Sequence, residues 1–136
     1  SEGRGTTKPF EFMGAPFIDA TAFAKRLNAL GLRGVRFRPV YFTPTFSKYK
    51  GEMCGGVQVH VTDFASFDPI VSALHILKEA YAMYPDKVEI KPYASKLMGV
   101  PNLHERIKTE SVDAVTAGWK DNLAKFEELR KKHLLY

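Results

Sequence analysis

The stretch that most constrains this chain is residues 34–62, GVRFRPVYFTPTFSKYKGEMCGGVQVHVT. Both ends of it alternate. Val35, Phe37 and Tyr41 stand on the same parity as Val57, Val59 and Val61, while Arg36 and Arg38 stand on the parity of Gln58 and His60. Successive side chains of a strand point to opposite faces, so the pattern predicts two strands, each with an apolar side and a polar side. Antiparallel pairing then sets Arg38 opposite Gln58 and Arg36 opposite His60, a polar row with the loop 43–52 at its end. That loop is too long for a two-residue hairpin. Its hydroxyls, glycine and interleaved Phe46 and Tyr49 are the material of an ordered binding loop on a rigid scaffold.

A chain of 136 residues, 45% of them hydrophobic, is expected to form one domain with its own core. It contains no run of eighteen apolar residues and no charged-then-apolar leader, so neither a membrane span nor a signal peptide is expected within it. It opens on SEGRGTT without Met, as a piece of a longer polypeptide would. The single Cys54 excludes an internal disulfide and a four-Cys zinc site. The net charge of +5 is localised: residues 1–50 carry nine Lys/Arg against three Asp/Glu, and residues 51–136 eleven against twelve. A cationic N-terminal third favours an anionic partner such as a carboxylated sugar, a nucleic acid or an acidic protein surface.

The N-terminal SEGRGTT is a glycine loop in which Gly3 and Gly5 flank Arg4, able to turn backbone N–H groups, the guanidinium and the Thr6 and Thr7 hydroxyls onto an anion. Residues 8–13 alternate Phe10 and Phe12 with Glu11 as a short strand, broken by Gly14-Ala15-Pro16. Asp19 or Thr21 caps a helix to about Leu30 with the stripe Phe23, Leu27, Leu30, and Gly31 ends it. Asp68-Pro69 starts a second helix over 70–84, striped by Ile70, Leu74, Leu77 and Tyr81, with His75 and Glu79 as a solvent-edge pair. Residues 87–91 read as an edge strand. Short helices follow at 93–98 and 101–109, and Ser111 caps what the spacing makes the longest helix, Val112 to Leu129. Gly118 inside it implies close packing or a bend. Leu134-Leu135-Tyr136 is expected to dock rather than fray. The order β-α-β-β-α-β plus helices predicts an α+β domain: a mainly antiparallel sheet of three to four strands, helices on one face, and a long C-terminal helix.

Several chemistries lack a local signature: no GxSxG elbow, P-loop, HExxH or Cys/His cluster occurs, so no metal or cofactor is expected. Glycosidic acid/base chemistry needs carboxyls across a cleft. The carboxylates near the polar surface are Glu2, Glu11, Glu52 and Asp63, none with a catalytic signature. Cys54, beside Gly55-Gly56, reads as a small buried filler.

SEGRGTTKPFEFMGAP, FRPVYFTPTFSKYKGEMCGGVQVHVTD and the terminal HLLY together resemble the C-terminal domain of the exo-β-N-acetylmuramidase (NamZ-type) family of bacterial peptidoglycan-recycling glycosidases, formerly a domain of unknown function. The likeness spans essentially the whole chain. It implies an N-terminal Rossmann-like domain of the same polypeptide as partner, carrying a principal catalytic glutamate, and an active-site cleft between the two domains. It also implies removal of β-linked N-acetylmuramic acid from non-reducing ends, in the periplasm or outside the cell. This domain alone is then expected to be inactive, with Glu2 and His60 as its candidate catalytic groups. Arg4, Thr6, Arg36, Arg38, Thr45, Phe46, Lys48, Gln58 and His60 are the candidates to bind the muramic-acid-containing saccharide, the arginines pairing with its lactyl carboxylate and Phe46 or Tyr49 stacking on a sugar ring. Two other readings compete: a non-catalytic carbohydrate-binding module, and an RNA-binding basic α+β module. The RNA motif fails at Val35, Arg36 and Pro39, so no nucleic acid is expected.

Overall fold

The computed structural model describes residues 1–135, in two compact units, Ser1–Glu89 and Ile90–Tyr136. The first contains strands β1 (Phe12–Ala15), β2 (Val35–Phe42) and β3 (Cys54–Val61) and helices α1 (Ala20–Ala29) and α2 (Pro69–Met83). The strands form an antiparallel sheet in the order β1-β3-β2. The class is α+β, as expected, with three strands among the described residues.

The central register is the one the alternation predicts: Arg36 lies opposite His60 and Arg38 opposite Gln58. One face of the sheet is apolar. Val35, Phe37 and Val57 meet Phe23, Ala24 and Leu27 of α1 in a core that also takes in Ala15, Ile18 and Ile76. Asp19 caps α1, its carboxylate accepting the Ala22 N–H at 2.9 Å. Asn28 on the last turn of α1 then grips the free edge of β2, donating to the Phe37 carbonyl at 2.7 Å and accepting the Phe37 N–H at 3.0 Å. Two bonds that a neighbouring strand would make are thus made by one amide, which blunts the edge.

The same edge accommodates Pro39. The strand runs through it, because two residues beyond Phe37 the missing N–H again points away from β3, where no ladder bond is lost. Tyr41, predicted on the apolar side, is 62% exposed. The chain leading into α1 brings the Ile18 carbonyl to where a Cβ on Gly55 would stand, and Tyr41, opposite Gly55, is left at the margin. β1 begins four residues later than expected, at Phe12. Gly14-Ala15 continues it instead of breaking it, because Gly14 and Gly56 face each other so closely that a Cβ on Gly56 would lie 2.6 Å from the Gly14 Cα.

In α2 the predicted stripe is rotated: Ser72, Leu74, Ile76 and Glu79 are buried and Ile70 is exposed. Glu79, expected at a solvent edge with His75, is buried and paired with Arg26 of α1. The strand expected over 87–91 does not form, because the Lys87 and Val88 N–H groups turn back to the Tyr84 carbonyl, at 3.0 and 2.9 Å.

The second unit contains α3 (Tyr93–Met98), α4 (Leu103–Thr109), α5 (Val112–Thr116) and α6 (Trp119–Lys131). Gly99 ends α3 in the left-handed region, at φ +64°. Leu103, Ile107, Val112 and Val115 are buried. Ser111 caps as predicted, accepting the Ala114 N–H at 3.1 Å, but the continuous helix expected after it is split at Ala117-Gly118. No neighbour lies within 4 Å of a Gly118 Cβ, so the glycine marks a break rather than close packing. The longest helix among the described residues is therefore α2, with 15 residues, and α6 has 13. None of α6 is buried; Leu123, Phe126 and Leu129 are each more than half exposed. Leu134 and Leu135, expected to dock, are 47% and 94% exposed; Tyr136 lies outside the described residues. None of the described helices is long and apolar enough to cross a membrane.

Candidate functional site

The face of the sheet opposite α1 carries the polar parity, and Gln58 is its centre. Its side chain is 4% exposed, yet both ends of the amide are satisfied: Oε1 accepts from Arg38 Nη2 at 2.6 Å and Nε2 donates to Glu11 Oε2 at 3.0 Å. A buried amide needs partners at both ends, and this pair fixes which way it points. The result is a carboxylate–amide–guanidinium chain that presents an exposed Arg38. Hydrogen bonding from Gln58 is the main reason the Glu11 carboxyl titrates below its ordinary range; partial desolvation opposes it, and Lys8 and His60 help. Arg36 and His60, both exposed, extend the row along the strands.

Phe12, Gln58 and Arg38 share one cross-strand row. From Phe12 the same face passes into an open depression of about 600 Å³ lined by Arg4, Thr6, Phe12, Phe42, Thr45 and Phe46, among others. The Phe12 and Phe42 rings form its floor, centroids 5.5 Å apart. The depression exists because the N-terminal loop docks on the loop after β2: the Thr45 N–H and hydroxyl both donate to the Gly5 carbonyl, at 2.8 and 3.0 Å. Gly5 has φ +83°, and a Cβ there would strike the Thr45-Phe46 backbone at 2.7–2.9 Å, so only glycine permits the approach.

The predicted site residues therefore fall into three places. Arg4, Thr6, Thr45 and Phe46 line the depression; Arg36, Arg38, Gln58 and His60 form the strand row; Glu2 and Lys48 stand beside the amino terminus. The Thr6 hydroxyl is spent within its loop, donating to the Gly3 carbonyl at 2.6 Å and accepting the Lys8 N–H at 3.1 Å. Thr45 is likewise a tether between loops. Phe46 is 59% exposed and available to a ring, whereas Tyr49 packs against the core and is not. Arg4 lies over the Phe10 ring, 5.4 Å from its centroid, and pairs with Glu2 at 3.3 Å. Lys48 reaches the other Glu2 oxygen at 3.5 Å. Burial pulls the Glu2 carboxyl upward, but its own backbone N–H, Lys48, the Ser1 ammonium and Arg4 outweigh that and hold it below the usual carboxylate range. Glu2 is thus an anion at neutral pH, able to pair or accept a proton and unsuited to start as an acid.

Asp63 ends β3 as a turn cap, its carboxylate held low chiefly by Ser66 and the Ala65 N–H. Cys54 is fully buried, and burial pushes its thiol up, as fits a filler. Among the described residues no three His, Cys, Asp or Glu side chains converge on a metal position. Sequence reasoning missed Phe42 and the part Glu11 plays; the signal for Phe42 lay in its parity with Arg38.

All 136 residues match the family model described as exo-β-N-acetylmuramidase NamZ, C-terminal. The chain is 43% identical over 139 residues to the peptidoglycan β-N-acetylmuramidase NamZ of Bacillus subtilis (strain 168), covering 100% of this chain and 34% of that protein. Its fold is similar to the crystal structure of a DUF1343 family protein from Bacteroides fragilis NCTC 9343, at 28% identity and a TM-score of 0.85 over 98% of this chain and 37% of that one. The chain thus spans about a third of the length of the relatives it matches.

Proposed function

Given that this chain belongs to the family of exo-β-N-acetylmuramidase NamZ C-terminal domains, we propose that it forms one wall of an interdomain cleft that binds non-reducing-end N-acetylmuramic acid, the other wall and a principal catalytic glutamate coming from an upstream Rossmann-like domain. The observation that carries this reading is the Glu11–Gln58–Arg38 chain on the open face. It holds a guanidinium in a fixed pose on the same sheet face as the depression and its exposed Phe46 ring. A guanidinium so held offers two parallel donors, the geometry that a carboxylate accepts bidentately. N-acetylmuramic acid differs from N-acetylglucosamine by its lactyl carboxylate, so Arg38, with Arg36 on the same strand face, is the group that tells the two sugars apart, and Arg4 at the depression is a further partner for that carboxylate. Phe46 supplies a face for the sugar ring. Because peptidoglycan lies outside the cytoplasm, the site of action is the periplasm or the exterior of a bacterium.

The test uses a full-length polypeptide carrying this domain. Replacing Arg36 and Arg38 together by Ala is expected to lower kcat/KM for a β-N-acetylmuramide by about 10- to 100-fold, the worth of one to two charge-assisted hydrogen bonds, and to shrink the preference over the matching N-acetylglucosaminide by the same factor. An unchanged preference would refute the assignment. Residues 1–136 alone are expected to turn over neither glycoside; turnover near the full-length rate would refute the need for a second wall.

A further inference from the structure

β1 is an edge strand, and its outer edge is already in use at Phe12, whose N–H donates to the Lys8 carbonyl at 3.1 Å, and at Gly14. The Ser1 ammonium donates to the Gly14 carbonyl at 2.7 Å, and the Gly14 N–H donates back to the Ser1 carbonyl at 3.0 Å. This is the reciprocal exchange of a paired residue in an antiparallel ladder. Antiparallel pairing fixes direction: a residue joined upstream of Ser1 falls beside Ala15, and the one before it beside Pro16. At that end of β1 lies an apolar cavity of about 360 Å³, lined by Ser1 itself and by Ala15, Phe17, Ile18, Ile76 and Ala80, among others. It lies between the sheet and α2, beside Ser1. Burial, and then Lys48, hold the Ser1 amine below its ordinary basicity, so the place suits a peptide N–H better than a charge. The relatives matched above carry most of their length outside the aligned part, and the matched family model is a C-terminal one, so that length lies upstream.

We propose that in full-length polypeptides of this family the segment immediately before Ser1 runs on past the Ala15 end of β1 and seats apolar side chains in this cavity, making it the docking groove of the connection to the upstream domain. Pro16 has no N–H to offer, so ladder bonding ends within two residues and side-chain burial carries the rest. The groove faces away from the polar row and does not depend on the sugar reading.

Amide hydrogen exchange on the full-length protein tests this. The two residues before Ser1 are expected to exchange at least about tenfold more slowly than in a free peptide, as docked segments do. Ala80→Leu, which fills the groove, is expected to return them to the free rate while the β3 amides keep their protection. Ala73→Leu, also on the cavity wall, serves if Ala80→Leu compromises folding. Free-peptide exchange of the upstream residues in the folded wild type would overturn the proposal, as would protection that survives both cavity-filling variants.

Discussion

The two faces of the sheet are built from alternate residues of the same strands and are put to opposite uses. On one, Val35, Phe37 and Val57 are at most 3% exposed beneath α1. On the other, Arg36, Arg38 and His60 stand in solvent around one buried amide. Residues a single position apart thus answer to different constraints: packing on one side, and presentation of charge on the other. Substitutions on the first face should therefore change stability and leave recognition alone, and those on the second should do the reverse.

The largest effect belongs to the packed face. Leu27 is fully buried at the centre of the core, and Leu27→Ala removes buried methyl groups from a site walled by two strands and a helix. The expected cost is about 2–5 kcal/mol, read as a shift of the urea midpoint. In a full-length protein at a temperature where it remains folded, the preference between the two sugars should not move. A changed preference would show that the faces are coupled.

Gln58 sharpens the contrast because it is buried like a core residue yet lies on the polar face. Gln58→Leu keeps its bulk and strips Arg38 and Glu11 of their shared partner. Both ends are surface groups that water can resolvate, so the stability cost is expected to be about 1 kcal/mol. Recognition of the muramide carboxylate should fall by a factor approaching that of Arg38→Ala. If Gln58→Leu costs stability in full core measure and leaves recognition intact, Gln58 belongs to the packed side and the division by parity fails.

How much of this was legible follows from the range of the interactions involved. The register Arg36–His60 and Arg38–Gln58 was readable because a period of two is a local signal, and a slip of β2 by one residue would turn Arg36 and Arg38 into the core. The caps at Asp68 and Ser111 were readable for the same reason, each being a short-range hydrogen bond, and the first cap was narrowed to Asp19 or Thr21, of which Asp19 serves. The buried side of α2 was not: the helix is apolar nearly all round, so its rotation is settled by what packs on it, as the burial of Glu79 against Arg26 shows. Nor was the depression, which depends on Gly5 meeting Thr45 across forty positions of chain. Composition suggested the N-terminal loop as an anion binder, but the Thr6 and Thr45 hydroxyls hold that loop together; only tertiary contacts distinguish a tether from a ligand.

The smallest expected effect lies at the seam between the two loops, where Glu2 pairs with Arg4 and Lys48. Its carboxyl titrates lower in the folded chain than in the unfolded one, because the hydrogen bond and cations around it outweigh its burial. A group with a depressed folded pKa binds fewer protons when folded, so its contribution is complete above the unfolded value of about 4.3 and disappears as pH falls through the folded value. The carboxylate is partly exposed and solvent-screened, so about half a kcal/mol is expected at neutral pH. Thermal midpoints of wild type and Glu2→Gln should differ by a degree or two near pH 7 and converge as pH falls through the depressed folded value. A difference that persists undiminished into acid would mean that Glu2 holds the loop through packing rather than charge. The N-terminal loop would then belong with the apolar face in its behaviour, despite standing on the polar one.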